Sequence, residues 1–285
     1  MLGTRLDVRP YERQRRSAVL ELSAFSQWTH KHLDWYNIGQ WLDQGRGQLF
    51  LAWHGAELVG YIGLSRPIEG CCWIQLLCLR DGRMPGLVVN ELWERAEAHC
   101  RRSKIRHVAM LMVTNWLATY LGPIGFKYAD EVITMSHIGS RRPALPDFSV
   151  AIRAAEPHDV PGIAEVDRLA FPALWRMTPA EIWQALRIST HADVAVLADQ
   201  VLAYQFGTRH KDVAHLARLA VRPDHQRKGI GTGLLHQFLG ECERLPVETV
   251  SVNTQLSNAP SQELYQRSGF FRNNSDLELW SKRIA

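Results

Sequence analysis

Two glycines, Gly229 and Gly231, stand where an apolar run ending in Leu219-Ala220-Val221 passes through a polar loop into a helical pattern. Glycine removes the side chain and lets backbone approach a ligand closely. The first amides of a helix lack internal partners and point outward, and the helix dipole adds partial positive charge there. A turn of this kind suits a diphosphate. Gln226, Arg227 and Lys228 add donors and positive charge, Ile230 opens the helix, and Thr232 adds a hydroxyl. A nucleotide P-loop needs Gly-Lys-Ser/Thr, and a dinucleotide-binding turn needs a different glycine spacing. Neither is present.

The context of the two glycines is more specific than the glycines themselves. A strand ending in Leu-Ala-Val, then x-Pro-x-x-Gln-x-x-Gly-x-Gly, then a Leu-Leu amphipathic helix, resembles the acetyl-CoA motif of the GNAT N-acetyltransferases. A second run, from Asn258 through Leu264-Tyr265 to Gly269-Phe270, is similar to the family pattern Asn-x-x-(Ala/Ser)-x-x-Leu-Tyr-x-x-x-Gly-Phe. The likeness covers most of residues 150–285 and is strongest over 214–270. It implies acetyl-CoA as acyl donor, no metal, and direct attack of a neutral primary amine on the thioester in a ternary complex, with position supplying much of the rate.

The resemblance also implies roles. The backbone of the Leu219, Ala220 and Val221 stretch would pair with the pantetheine arm. Tyr265 matches the family's tyrosine near the thioester sulfur, a general acid; a phenol of pKa ~10 facing a thiol of pKa ~8.5 suits that task. Its alternative is a helix tyrosine that only packs. His215, six residues before Val221, matches a place where several relatives carry a Glu or His base, and an imidazole titrates near neutrality. Its alternative is an ordinary strand histidine. Other relatives use a Glu near the position of Asn253, which cannot be a base. Asn258 fits both a helix cap and a contact to the CoA chain. The acceptor pocket is expected near Asp167, Phe171, Trp175, Arg176 and Tyr204, none with an assigned role.

The elements that must hold these residues occur twice. Residues 58–61 align with 201–204, residues 79–100 with 221–242, and Gly125-Phe126 with Gly269-Phe270. One helix places Val88, Leu92, Trp93, Ala96 and Cys100 on a stripe; its counterpart places Ile230, Leu234, Leu235, Phe238 and Cys242 there. Both are faces of a buried amphipathic helix. Residues 140–147, with two prolines and two arginines, read as a linker. The fold class is α/β (α+β): two tandem GNAT-like domains, each a mixed central sheet flanked by helices, over 1–140 and 148–285 with 141–147 between. In the first copy Gly229 becomes Leu87, Gly231 becomes Val89, Gln226 becomes Met84, Tyr265 becomes Leu121 and His215 becomes Trp73. The first copy is therefore expected to lack the acetyl-CoA loop, with Leu87 and Val89 as core or interface residues.

Composition excludes little but agrees. Of 285 residues, 46% are hydrophobic and 22% charged, enough apolar content for a buried core, and the net charge of +4 has no long basic run to serve nucleic acid. Five cysteines without a Cys-x-x-Cys fit a reducing compartment. No apolar stretch resembles a leader or membrane span, so a cytoplasmic protein without membrane or nucleic-acid partners is expected. The acceptor is a small-molecule or protein amine. The competing reading is an acyl-CoA-binding regulatory or interaction module with little catalysis.

Overall fold

The computed structural model describes residues 6–45, 47–81, 84–139, 143–145 and 150–285. In chain order the first half runs β1 (Asp7–Pro10), α1 (Arg16–Phe25), β2 (Trp28–Lys31), α2 (Ile38–Asp43), β3 (Gly47–His54), β4 (Glu57–Ser65), β5 (Cys71–Leu79), α3 (Pro85–Arg102), β6 (His107–Leu111), α4 (Ala118–Leu121) and β7 (Lys127–Ile138). The second half runs β8 (Ala151–Ala154), α5 (Val160–Ala170), α6 (Pro179–Ile188), β9 (His191–Leu197), β10 (Gln200–His210), β11 (Val213–Val221), α7 (Ile230–Glu243), β12 (Thr249–Gln255), α8 (Ala259–Arg267), β13 (Phe271–Arg272) and β14 (Leu277–Arg283).

These elements form two compact units. One holds residues up to Asp130 together with Leu277–Ala285; the other holds Glu131–Asp276. The division departs from the linear boundaries expected at 140 and 148. β14, the last strand of the second repeat, pairs antiparallel with β6 in the first unit, from Leu279 opposite Leu111 to Arg283 opposite His107. β7, the last strand of the first repeat, pairs with β12 in the second, from Thr249 opposite Ile138 to Gln255 opposite Val132. Periodicity announces a strand but not the edge it will join, so the exchange is invisible in the chain's pattern. Of the expected linker 141–147, only 143–145 lies within the described residues.

The first unit's sheet runs β1-β3-β4-β5-β6-β14. α3 lays the expected stripe of Val88, Leu92, Trp93, Ala96 and Cys100 on it, with Val89 added. Burial of each large member contributes about 1.5–3 kcal/mol. Leu87 packs partly buried against the same core. The Trp93 ring meets Phe126 edge-on at 4.8 Å. Gly125 turns with φ +88°, and a Cβ there would lie 3.1 Å from the Lys282 side chain. Lys282 itself donates to the Ile124 carbonyl at 2.7 Å and pairs with Glu97.

The second unit's sheet runs β7-β12-β11-β10-β9-β8. α7 buries Ile230, Leu234, Leu235, Phe238 and Cys242, the expected stripe, plus Leu239. Gly207 lets this helix sit close: a Cβ there would meet the Phe238 ring at 2.2 Å. On the other side, α6 starts with a reciprocal cap between Thr178 and Glu181. The five cysteines are free thiols, and all but Cys71 are buried. No helix among the described residues is long and apolar enough to cross a membrane.

Candidate active site

The site begins where two parallel strands part. β11 pairs with β12 from Val213 opposite Thr249 to Leu216 opposite Val252, and there the pairing stops although both strands continue. A bulge sits at the same place. Phe206 of β10 faces Arg218 and Gly207 faces Leu216, so Ala217 is left without a partner. The bulge bends β11 and re-aims the residues beyond it. Among the described residues, Arg218 to Val221 consequently present an unpaired backbone edge on the β12 side.

A cavity of about 640 Å³ opens beside that edge. Leu219, Ala220 and Val221 form one wall; Gln226, Arg227, Gly229, Gly231 and Thr232 close one end; Asn258, Ser261 and Leu264 of α8 form the opposite wall. The loop is shaped for its place. Arg227 and Gly229 take left-handed backbone with φ +59° and +82°, and the helix starts directly after Gly229. Gly229 is demanded by that backbone. Gly231 is not demanded by packing, since a Cβ would meet Leu264 and Val221 at 3.6 Å, an ordinary contact. What its missing side chain preserves is cavity space over the first turn of α7.

The structure sorts the expected residues. Leu219, Ala220, Val221, Gln226, Arg227, Gly229, Gly231, Thr232 and Asn258 all line the cavity. Gln226 also braces the loop by donating to the Val221 carbonyl at 3.1 Å. Asn258 caps α8 by accepting from Ser261 N at 3.3 Å. Lys228 turns back on the loop and donates to the Asp224 carbonyl at 3.0 Å. The Ile230 side chain is core, leaving only its amide at the helix start.

Tyr265 and His215 stand apart from the lining. The Tyr265 ring is buried on α8 against Phe270, 5.7 Å between centroids, and burial alone pushes its pKa well above the usual phenol value. Such a phenol stays protonated, as a donor must, but is a weaker acid than a solvated one. His215 lies in the still-paired part of β11, directly opposite Ser251, with 2.9 Å between Nδ1 and Ser251 Oγ. It lies four residues before Leu219, on the far side of the bulge, and outside the cavity lining.

Asp167, Phe171, Trp175, Arg176 and Tyr204, expected near the acceptor pocket, meet in one cluster. The residue that joins them is Arg218. Asp167, fully buried on α5, accepts from Arg218 Nε at 2.7 Å, from Met177 N at 2.8 Å and from the Tyr204 hydroxyl. Arg218 also donates to the Trp175 carbonyl at 2.6 Å, and its guanidinium carbon lies 3.9 Å from the centre of the Phe171 ring. Arg176 in turn donates to the Phe171 carbonyl at 2.8 Å. Burial opposes the Arg218 charge, yet Tyr204 and Asp167 hold its pKa above the ordinary value. A signal existed: one arginine inside an apolar strand and one aspartate on an apolar helix face must find partners or not be buried.

The first unit shows why the same architecture is closed there. β5 and β6 pair in parallel only from Cys71 opposite His107 to Trp73 opposite Ala109. The edge of β5 beyond that point is then taken by the chain's own β2, with Trp28 opposite Leu79 and Lys31 opposite Leu76. Leu76 to Leu79 are the repeat equivalents of Arg218 to Val221. Trp28 further packs on Trp116 and Tyr120, at 5.3 and 6.3 Å. Leu87 and Val89, expected as core or interface residues, pack in or against the core of this unit, and the β5 edge is occupied separately by β2.

Comparison with known proteins places these features. The acetyltransferase (GNAT) family model matches residues 161–270. The ribosomal protein bS18-alanine N-acetyltransferase of Escherichia coli K12 is 41% identical over 59 residues, 21% of this chain and 40% of that protein. The spore coat polysaccharide biosynthesis protein SpsD of Bacillus subtilis is 31% identical over 129 residues, 40% of this chain and 45% of its own. The chain thus spans less than half the length of these curated relatives. Among solved structures, a tandem GNAT protein from the clavulanic acid biosynthesis pathway superposes over 99% of both chains with a TM-score of 0.66 at 15% identity, a likeness of fold.

Proposed function

We propose that the second unit, whose residues 161–270 match the acetyltransferase (GNAT) family model, binds acetyl-CoA and transfers its acetyl group to a primary amine of a small molecule or a protein. The observation that carries this reading is the free edge of β11 leading into the Gly229–Gly231 loop. The edge offers backbone N–H and C=O groups to the amides of a pantetheine arm. The loop and the first turn of α7 offer unpaired amides and the positive end of a helix dipole to a diphosphate. Gly231, in the cavity lining and without a side chain, admits the approach. A phosphate-bearing chain fits the chemistry of the residues lining the cavity.

When bound, acetyl-CoA supplies the activated acyl group: the amine nitrogen bonds to the carbonyl carbon, the C–S bond breaks, and one amine proton ends on the departing sulfur. The protein's own share is to fix direction. β11 amides near the bulge would hold the carbonyl, and α8 forms the opposite wall. Tyr265 is the proton donor in this scheme, on the side of the cavity formed by α8. His215 acts on the acceptor only through intervening water, given its place on the strand. The name of the Escherichia coli relative, an alanine N-acetyltransferase, supports an amine as acceptor.

A second reading has its own observation: Tyr265 is sealed in the core with a raised pKa, and His215 is off the cavity wall. A binding module with little catalysis needs neither. CoA release from acetyl-CoA over a panel of amines and N-terminal peptides separates the two. Amine-dependent release, reduced in Tyr265→Phe, supports the transferase; tight acetyl-CoA binding with no release above the uncatalysed rate for any amine supports the module.

A further inference from the structure

We infer that Phe171, clamped by Arg218, is the end wall of the acyl compartment and restricts the donor to short acyl groups. The inference rests on the acyl-CoA reading of the cavity and adds which acyl groups fit.

The direction of the cavity is fixed by its ends. The anion loop at Gln226–Thr232 marks one end, and β11 runs away from it through Val221, Ala220 and Leu219. A thioester whose diphosphate sits on the loop must therefore carry its acyl tip toward Leu219 and Arg218. α5 runs antiparallel to this stretch. Its Glu165 lies within electrostatic reach of Arg222, near the loop, while its Asp167 bonds Arg218. The helix ends at Ala170, so Ala170 and Phe171, both in the cavity lining, stand at the acyl end.

Phe171 is held there by several independent contacts. Its N–H donates to the Asp167 carbonyl at 3.0 Å, and its own carbonyl accepts from Arg176 at 2.8 Å. The ring lies under the guanidinium of Arg218 at 3.9 Å, and that guanidinium is fixed by Asp167, Tyr204 and the Trp175 carbonyl. A ring at a cavity wall that could swing aside would tolerate a longer chain. One stacked beneath a buried arginine that three partners hold in place cannot yield without losing that stack. Planarity matters here, since a lysine would keep the charge but lose the stack.

The test is calorimetric titration of the full chain with CoA, acetyl-CoA and hexanoyl-CoA, beside Phe171→Ala, Phe171→Leu and Arg218→Lys. The wild type should bind acetyl-CoA at least about tenfold tighter than hexanoyl-CoA, a modest demand on an apolar wall. Phe171→Ala should bring the two within about threefold, with Phe171→Leu between, and Arg218→Lys should shift in the same direction. CoA itself, which has no acyl group, should bind wild type and the Phe171 variants alike, which also reports that they fold. A wild type indifferent to chain length overturns the wall while leaving the acyl-CoA reading intact. So does a preference unchanged in Phe171→Ala. Failure of CoA to bind the wild type overturns both.

Discussion

Removing the carboxylate of Asp167 strands a buried charge. In Asp167→Ala, Arg218 keeps its guanidinium in the same pocket, with a side chain only 14% exposed, and loses its counter-ion. The Met177 amide and the Tyr204 hydroxyl lose their acceptor in the same step. Breaking one side of a buried pair costs about 3–5 kcal/mol. Removing both charges, in Asp167→Ala with Arg218→Met, eliminates the unpaired cation. The Met177 N–H and the Tyr204 hydroxyl lose their carboxylate acceptor in both variants, so what the second substitution removes is the unpaired buried cation. The double variant should therefore be more stable than the single Asp167→Ala variant. The chain has two units and need not unfold in one step. The suitable assay is hydrogen exchange during urea titration, read on peptides from α5, α6 and β11. An Asp167→Ala variant within about 1 kcal/mol of wild type, or a double variant less stable than the single, would refute the account of Arg218 as a charge held by that carboxylate.

Gly229 and Gly231 should separate backbone strain from cavity space. Gly229→Ala must adopt φ near +82°, costing about 1–2 kcal/mol by thermal unfolding and weakening acetyl-CoA binding. Gly231→Ala meets only ordinary contacts and gains helix propensity, so stability should hold or rise by up to about 1 kcal/mol while affinity falls; retained affinity would remove the close approach over α7. Tyr265→Phe should lower turnover more than acetyl-CoA affinity, and equal turnover in steady-state kinetics would end its role as donor. In the first unit, burial foremost and the neighbouring His32 next lower the His30 pKa to about 3. Between that value and the unfolded value near 6.5 the unfolded chain binds the extra proton, so stability is complete at neutral pH and falls as pH drops. About 2 kcal/mol should be lost between pH 7.5 and 5. His30→Leu should flatten that slope, measured as unfolding midpoint against pH; a slope equal to wild type would show that another group titrates.

What the chain disclosed, it disclosed through repetition. The stripes of α3 and α7 are built from the apolar residues at helical spacing, and the glycine loop falls where a strand enters a helix, because both signals are local. Three features escaped. The exchange of β7 and β14 concerns which edge a strand joins, and either edge accepts the same alternating pattern. The capture of β5 by β2 hides in a four-residue segment, Trp28–Lys31, too short to declare a period. The position of His215 depends on where β11 leaves β12, which the bulge at Ala217 sets and side-chain order does not show. The pairing of Arg218 with Asp167 lay between these cases: each residue was conspicuous in its own apolar surroundings, 51 positions apart, and only burial required that they meet.

The central claim is that one β11-type edge is open and the other is occupied by the chain itself. Counting acetyl-CoA sites tests it most directly, by calorimetric titration of the full chain beside a Gly229→Leu, Gly231→Val variant that copies the first repeat's loop. One site per chain, abolished in the variant, is the expected result. Two sites, or one that survives the double substitution, would contradict it.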